Sequence, residues 1–219
     1  MQKYKGIYFT FITLSVRKVM GERFGRREAK KIIKRARASY RDLLRKTDDI
    51  GAKNPMAQNL YFSIALISFH VGSPKLIGRE ETRFIIDELY KNKLLIKALT
   101  KKDFNRPKDF KVFKDNIRRM SDWIEARKDL YPSSWNFDFE TDHTEGFYYG
   151  LTSCPIAKFF CEQGLEDYTP LMCEVDYKNF NLMKANLIRK HTIAEGAACC
   201  DFWIVPDGID LSLDENPNE

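Results

Sequence analysis

The chain has 219 residues, 43% hydrophobic, 31% charged and 13% aromatic, with a formal net charge of +6. That length buries a substantial core in a single domain, and the composition excludes collagen-like, coiled-coil and disordered classes. No apolar run approaches the roughly 20 residues of a membrane-spanning helix, so no membrane partner is expected.

Residues 6–16, GIYFTFITLSV, follow two lysines and faintly resemble the apolar core of a signal peptide. They lack a small-residue cleavage site, and a strongly basic segment follows directly. The charge is concentrated there: residues 1–50 hold fifteen Lys and Arg against five Asp and Glu, a local +10. In 26–46, Ala29, Ile32, Ile33, Ala36, Tyr40, Leu43 and Leu44 recur at helical spacing and the basic residues fill the other face. We read that face as solvated. A nucleic-acid partner is not expected, because no nucleic-acid-binding motif accompanies the charge; were it one, binding would fall steeply with salt.

A mostly apolar helix, MAQNLYFSIALISFHVG, follows and ends at Gly72, Pro74 and Gly78. His70 on it reads as a satisfied core histidine. REETRFIIDELYKNKLLIKAL reads as one helix with acids in its first turn and lysines near its end. FKVFKDNIRRMSDWIEARKDL is a further amphipathic helix that runs to Pro132. After Pro132 the texture changes. WNFDFE alternates apolar and polar residues, as a half-buried strand does. GFYYGLTS reads as a second strand across a turn at 141–146. CPIAKFFCEQG is a short helix with Pro155 in its first turn, and another helix spans about 170–180. NLIRKHTIA and CCDFWIV read as two closing strands separated by the Glu195-Gly196 turn. The expected fold is α+β: a helical N-terminal half packed with a small antiparallel sheet from the C-terminal third. We expect one domain over 1–219, with a mostly helical part to 130, an α+β part at 131–206 and an acidic tail at 207–219. No pattern specifies an oligomeric state.

All five cysteines, Cys154, Cys161, Cys173, Cys199 and Cys200, fall in the last third. An odd number without framework spacing predicts free thiols and a cytoplasmic location. There is no CxxC pair, phosphate-cradling glycine loop or GxSxG elbow, which removes zinc ribbons, thioredoxin-like redox motifs, P-loops and standard serine hydrolases. Cys173 and Asp176 are three apart and share a helix face. Cys154 opens a helix, where backbone N–H groups favour a thiolate. On the closing strand, side chains alternate, so Cys200 lies with Phe202 and Ile204 while Cys199 lies with Asp201 and Trp203. A nucleophilic cysteine needs help to ionise, and His191 and Arg189 on the neighbouring strand are candidates. Packing is the competing role, since buried free cysteine behaves as a small hydrophobe; Cys161, beside two phenylalanines, is assigned to it. A third option is convergence of several thiolates on a metal, although the spacing fits no standard zinc motif.

From Phe147 to Val205 the chain resembles the L-2-amino-thiazoline-4-carboxylic acid hydrolase family. The resemblance rests on CPIAKFFCEQG, LMCEVDY and RKHTIAEGAACCDF in that order, above all on Thr192, Gly196, Cys200, Asp201 and Phe202. The segment is also distantly similar to ligand-binding domains of the 4-vinyl reductase type. The first resemblance implies Cys154, Cys173, Asp176, Cys200 and Asp201 as catalytic and Arg189, Thr192 and Gly196 as substrate-binding, and places Cys199 and His191 at variable positions. It further implies a small-molecule substrate and hydrolytic opening of a cyclic amidine, with Cys200 attacking or positioning water. Asp201 or Asp176 would handle protons and Arg189 would hold a carboxylate. The second resemblance implies a non-catalytic domain whose cysteines line a pocket or hold a divalent metal.

Overall fold

The computed structural model describes residues 3–209. Most of the acidic tail, 210–219, therefore lies outside the described residues.

Helix α1 (Gly6–Phe24) buries Phe9, Ile12, Thr13, Val16 and Met20, an i, i+3/i+4 stripe that leaves Ile7 and Leu14 in solvent. Gly25, at φ +79°, turns the chain into α2 (Arg26–Lys46), which buries Ala29, Ile32, Ala36, Tyr40, Leu43 and Leu44. Its basic face is wet and partly neutralised by its own acids, with Arg35 and Lys31 on Glu28 at 3.0 and 3.2 Å and Arg45 on Asp42 at 2.9 Å. Helix α3 (Ala57–Gly72) is buried on nearly every side. Gly72 closes it against α2: a Cβ there would meet the Ala36 N and Arg35 C atoms at 2.8 Å. Phe9, Tyr40 and Phe69 stack across the three helices. The hydroxyls of Tyr40 and Tyr61 donate to the Lys5 and Lys3 carbonyls, so both rings are buried without an orphaned polar atom. No helix among the described residues is long and apolar enough to cross a membrane.

The stretch read as one helix from Arg79 is two, α4 (Arg79–Leu89) and α5 (Lys93–Leu99). The break is made by Asn92, whose side-chain oxygen accepts the Leu94 and Leu95 N–H groups at 2.8 and 3.3 Å, an N-cap that starts a new helix. Helix α6 (Pro107–Glu125) has Pro at its first position and buries Phe110, Ile117 and Ile124.

The antiparallel sheet has the order β1-β2-β4-β3, from β1 (Asn136–Asp138), β2 (Phe147–Ser153), β3 (Ala185–Ile188) and β4 (Cys200–Pro206). Tyr149 faces Phe202 and Leu151 faces Cys200 between β2 and β4, and Leu187 faces Ile204 between β3 and β4. Helices α7 (Pro155–Glu162) and α8 (Thr169–Leu182) fill the connection from β2 to β3. The expected strand over NLIRKHTIA ends early, at Ile188, because Ile193–Glu195 forms a turn of 3-10 helix instead. The fold class is α+β. One hydrophobic cluster runs from Phe9 in α1 to Ile204 in β4.

His70 is satisfied as expected: its Nδ1 lies 2.7 Å from the Ile77 carbonyl and 2.9 Å from the Tyr168 hydroxyl. Cys161 is a correction. It is exposed, because Phe159 and Phe160 take the buried side of α7 and turn the thiol to the other.

Candidate functional site

The candidate site forms where α7, α8, the end of β3 and the start of β4 meet. Cys154 is the N-cap of α7, set there because Pro155 suits a first helical position. The N–H groups of Ala157 and Ile156 favour its thiolate, but burial outweighs them and pushes the thiol up to about 11.

Helix α8 presents Cys173 and Asp176 on one face. Its other face is tied to α4: Glu174 accepts both guanidinium nitrogens of Arg83 at 2.6 and 2.7 Å, Lys178 pairs with Asp87 at 2.9 Å, and Asn179 accepts the Tyr90 hydroxyl at 2.5 Å. Pinning residues 174, 178 and 179 fixes the rotation of α8 and leaves 173 and 176 facing Arg189.

Arg189 leaves β3 with only 2% of its side chain accessible and donates to Asp176 Oδ2 at 3.1 Å and to the Cys173 carbonyl at 2.8 Å. Its guanidinium lies over the rings of Tyr177 and Phe202 at 4.8 and 4.9 Å. Among the described residues the third nitrogen, Nε, is buried with no hydrogen-bond partner. An orphaned buried donor is uncommon, and here it sits on the one cation of the cluster.

Burial pushes the Asp176 carboxyl up to about 6, against the pull of Arg189. Its side chain nevertheless keeps 35% of its surface, so water and small solutes reach it. Burial, then Asp176, pushes Cys173 up to about 12. Cys200 is buried and its thiol is also raised by burial, opposed by the Ile193 N–H and by Arg189. That N–H donates to Cys200 Sγ at 3.1 Å, a contact that stabilises the thiolate.

The structure thus brings together five of the eight residues singled out in the sequence: Cys154, Cys173, Cys200, Asp176 and Arg189. The other three shape the loop around them. Thr192 Oγ1 donates to Glu195 Oε2 at 2.7 Å. Gly196 adopts φ +89°, left-handed backbone that glycine occupies without strain, and ends the 3-10 turn. Asp201 points to the opposite face of β4 from Cys200, where its carboxylate accepts the N–H groups of Lys190 and His191 at 2.9 and 2.7 Å. It fixes the segment just after Arg189 instead of meeting the thiols. His191 lies 3.7 Å from Asp201, on that same outer side. Among the described residues, no group of three or more His, Cys, Asp or Glu side chains converges as a metal site.

The sequence reading missed Tyr149. It is buried in β2, stacked on Phe202 at 4.8 Å, and burial raises its hydroxyl well above the usual phenol range, with Asp176 adding to the rise and Arg189 opposing it. Its place on the inward face with Phe147 and Leu151 was legible from strand alternation.

Thiols, a raised carboxyl and a buried guanidinium thus meet at the edge of the sheet of an α+β fold. The family model for L-2-amino-thiazoline-4-carboxylic acid hydrolase matches residues 73–204, more than half of the chain, and the chain belongs to that family. The match begins at Ser73, well upstream of Phe147, so it takes in α4 to α6 as well as the motif region. Searches of curated proteins and of solved structures each found no match.

Proposed function

We propose that this cluster is the active site of a hydrolase that opens a cyclic amidine, such as L-2-amino-thiazoline-4-carboxylate, to N-carbamoyl-L-cysteine. The observation that carries the reading is the orphaned Nε–H of Arg189 among three thiols and Asp176. A substrate carboxylate would satisfy that donor, and leaving it unmet costs about 1–3 kcal/mol.

In this reading Asp176 is the proton carrier, because a carboxyl near 6 exchanges protons readily around neutral pH. Burial keeps Cys154 and Cys173 protonated at neutral pH, so attack is assigned to water, with Cys200 positioning it. Water oxygen bonds to the ring carbon between sulfur and nitrogen, and its proton passes through Asp176 to the ring nitrogen. The tetrahedral centre then reforms a C=O bond and breaks the C–S bond. The remaining hydroxyl proton goes to the departing sulfur. One water is consumed and one thiol appears. Five free cysteines also support a reducing, cytoplasmic setting.

The test is release of new thiol from excess L-2-amino-thiazoline-4-carboxylate, read with a colorimetric thiol reagent over many turnovers and in the presence of chelator. Release that depends on Cys200 and Asp176 supports the assignment. Full activity of a folded Cys200→Ser protein would remove Cys200 from it. The raised thiols favour a second reading, a non-catalytic domain with a cysteine-lined pocket; no turnover, together with stoichiometric metal lost on mutating Cys154, Cys173 or Cys200, would select it.

A further inference from the structure

A concavity of about 500 Å³ lies between α6 and the loop that leads from β1 into β2. Phe147 and Tyr148 line it at the start of β2, whereas Cys154 follows the end of that strand. At about 3.3 Å per residue the two places are some 20 Å apart. The volume is that of a small-ligand site.

One wall is the outer face of α6, where Lys111, Lys114, Asp115 and Arg118 share a side by helical spacing. Lys111 is paired with Asp115 at 2.8 Å. Lys114 and Arg118 form no ion pair among the described residues. Lys114 lies over Phe110 at 5.1 Å, and Arg118 lies over Phe139 and Phe147 at 5.0 and 5.7 Å. An arginine resting on two rings keeps its planar fork of N–H donors free for an oxyanion. The opposite wall is aromatic: His143 stacks on Trp203 at 3.8 Å with rings 6° apart, and Tyr148 stands beside it at 5.7 Å. Glu145, the other acid of the groove, is exposed and makes no ion pair with these cations among the described residues.

We propose that this groove binds a small aromatic phosphate, the phosphoryl group held by Arg118 and Lys114 and the flat ring laid against His143 and Tyr148. Two cations without carboxylate partners match a dianionic group, and the adjoining rings supply a stacking surface. The site stands apart from the thiol cluster, and its occupancy is independent of turnover there.

The test is isothermal titration of the full chain with phenyl phosphate, inorganic phosphate and benzyl alcohol. Phenyl phosphate should bind at least about tenfold more tightly than inorganic phosphate, and benzyl alcohol should not bind. Arg118→Gln and Lys114→Gln should each weaken phenyl phosphate by about tenfold, the scale of one charge-assisted contact, while Cys200→Ser leaves it unchanged. If Arg118→Gln does not fold by thermal melting, Arg118→Lys, which keeps the charge but loses the fork, takes its place. Equal binding of inorganic and phenyl phosphate overturns the proposal, as does indifference to both α6 substitutions. Tighter binding of a synthetic peptide of residues 209–219 than of phenyl phosphate also overturns it, and assigns the groove to the chain's own acidic end.

Discussion

Arg189→Met isolates what the buried cation does to its neighbour. In the native protein, desolvation pushes the Asp176 carboxyl up to about 6 while Arg189 pulls it down. The Nη1–Oδ2 contact is 3.1 Å, and a charge-assisted hydrogen bond of that kind contributes about 1.5–3 kcal/mol. At about 1.4 kcal/mol per pKa unit, its loss raises Asp176 by about one to two units. Because 35% of the Asp176 side chain is accessible, water screens part of the effect and the low end applies. The carboxyl should therefore titrate near 7 in the variant. Two measurements check this. Carbon-13 NMR titration of the Asp carboxyls reads the shift without reference to activity, and under the proposed mechanism the acid limb of the pH dependence of kcat/KM should move from near 6 toward 7. Arg189→Lys, which keeps a charge but loses the bidentate fork, should move the limb less and raise KM. A limb that stays at 6 in Arg189→Met, or falls, refutes both the pairing and the role of Asp176. The same shift sets a stability trend. A carboxyl raised above its ordinary value of about 4 binds more protons folded than unfolded, so its contribution is lost as pH rises from about 4 through 6. Asp176→Asn should gain relative to the native protein across that window, read from urea midpoints at successive pH values.

Further substitutions probe the scaffold around the site. Cys200→Ser should melt within a few degrees of the native protein yet lose most thiol release, since the oxygen sits farther from the Ile193 N–H than the sulfur does at 3.1 Å; unaltered kcat would refute the assignment. Asp201→Ala removes the acceptor of two backbone N–H groups and should cost about 2 kcal/mol in urea unfolding, with KM raised because the segment carrying Arg189 loosens. An unchanged KM would confine Asp201 to stability. Gly72→Val forces a side chain onto the α2 backbone at 2.8 Å and should cost more than about 2 kcal/mol, seen as a large fall in melting temperature. Asn92→Ala removes a cap worth about 1 kcal/mol, and hydrogen exchange should quicken in α5 more than in α4.

Much of the helical half was legible because each amphipathic helix buries a stripe that its spacing announces. The buried set of α2 is the apolar set read from its sequence, with Ile33 the exception at half-burial. What failed was local chemistry inside a pattern. The apolar period runs on from α4 to α5, so the break at Tyr90–Asn92 is decided by one side-chain oxygen that periodicity does not weigh. Likewise β3 stops at Ile188 because Thr192 and Glu195 satisfy each other across a tight turn, which competes with extension of the ladder.

The site was half legible for a related reason. Helical spacing shows that Cys173 and Asp176 share a face, but it says nothing of which face α4 pins, and hence nothing of whether they meet Arg189. The ties from Glu174, Lys178 and Asn179 decide that, and they are contacts across some ninety residues of sequence. Strand alternation separated Cys199 from Cys200. It likewise separated Asp201 from Cys200, although adjacency in the motif groups them. The two residues act from opposite faces of β4. Cys200 faces inward, where its sulfur holds the Ile193 N–H. Asp201 faces outward, where its carboxylate holds the backbone that follows Arg189. A Cys-Asp pair at the start of a strand thus fixes both ends of the Arg189–Cys200 loop at once. That accounts for cysteine and aspartate where an ordinary strand would carry valine and isoleucine.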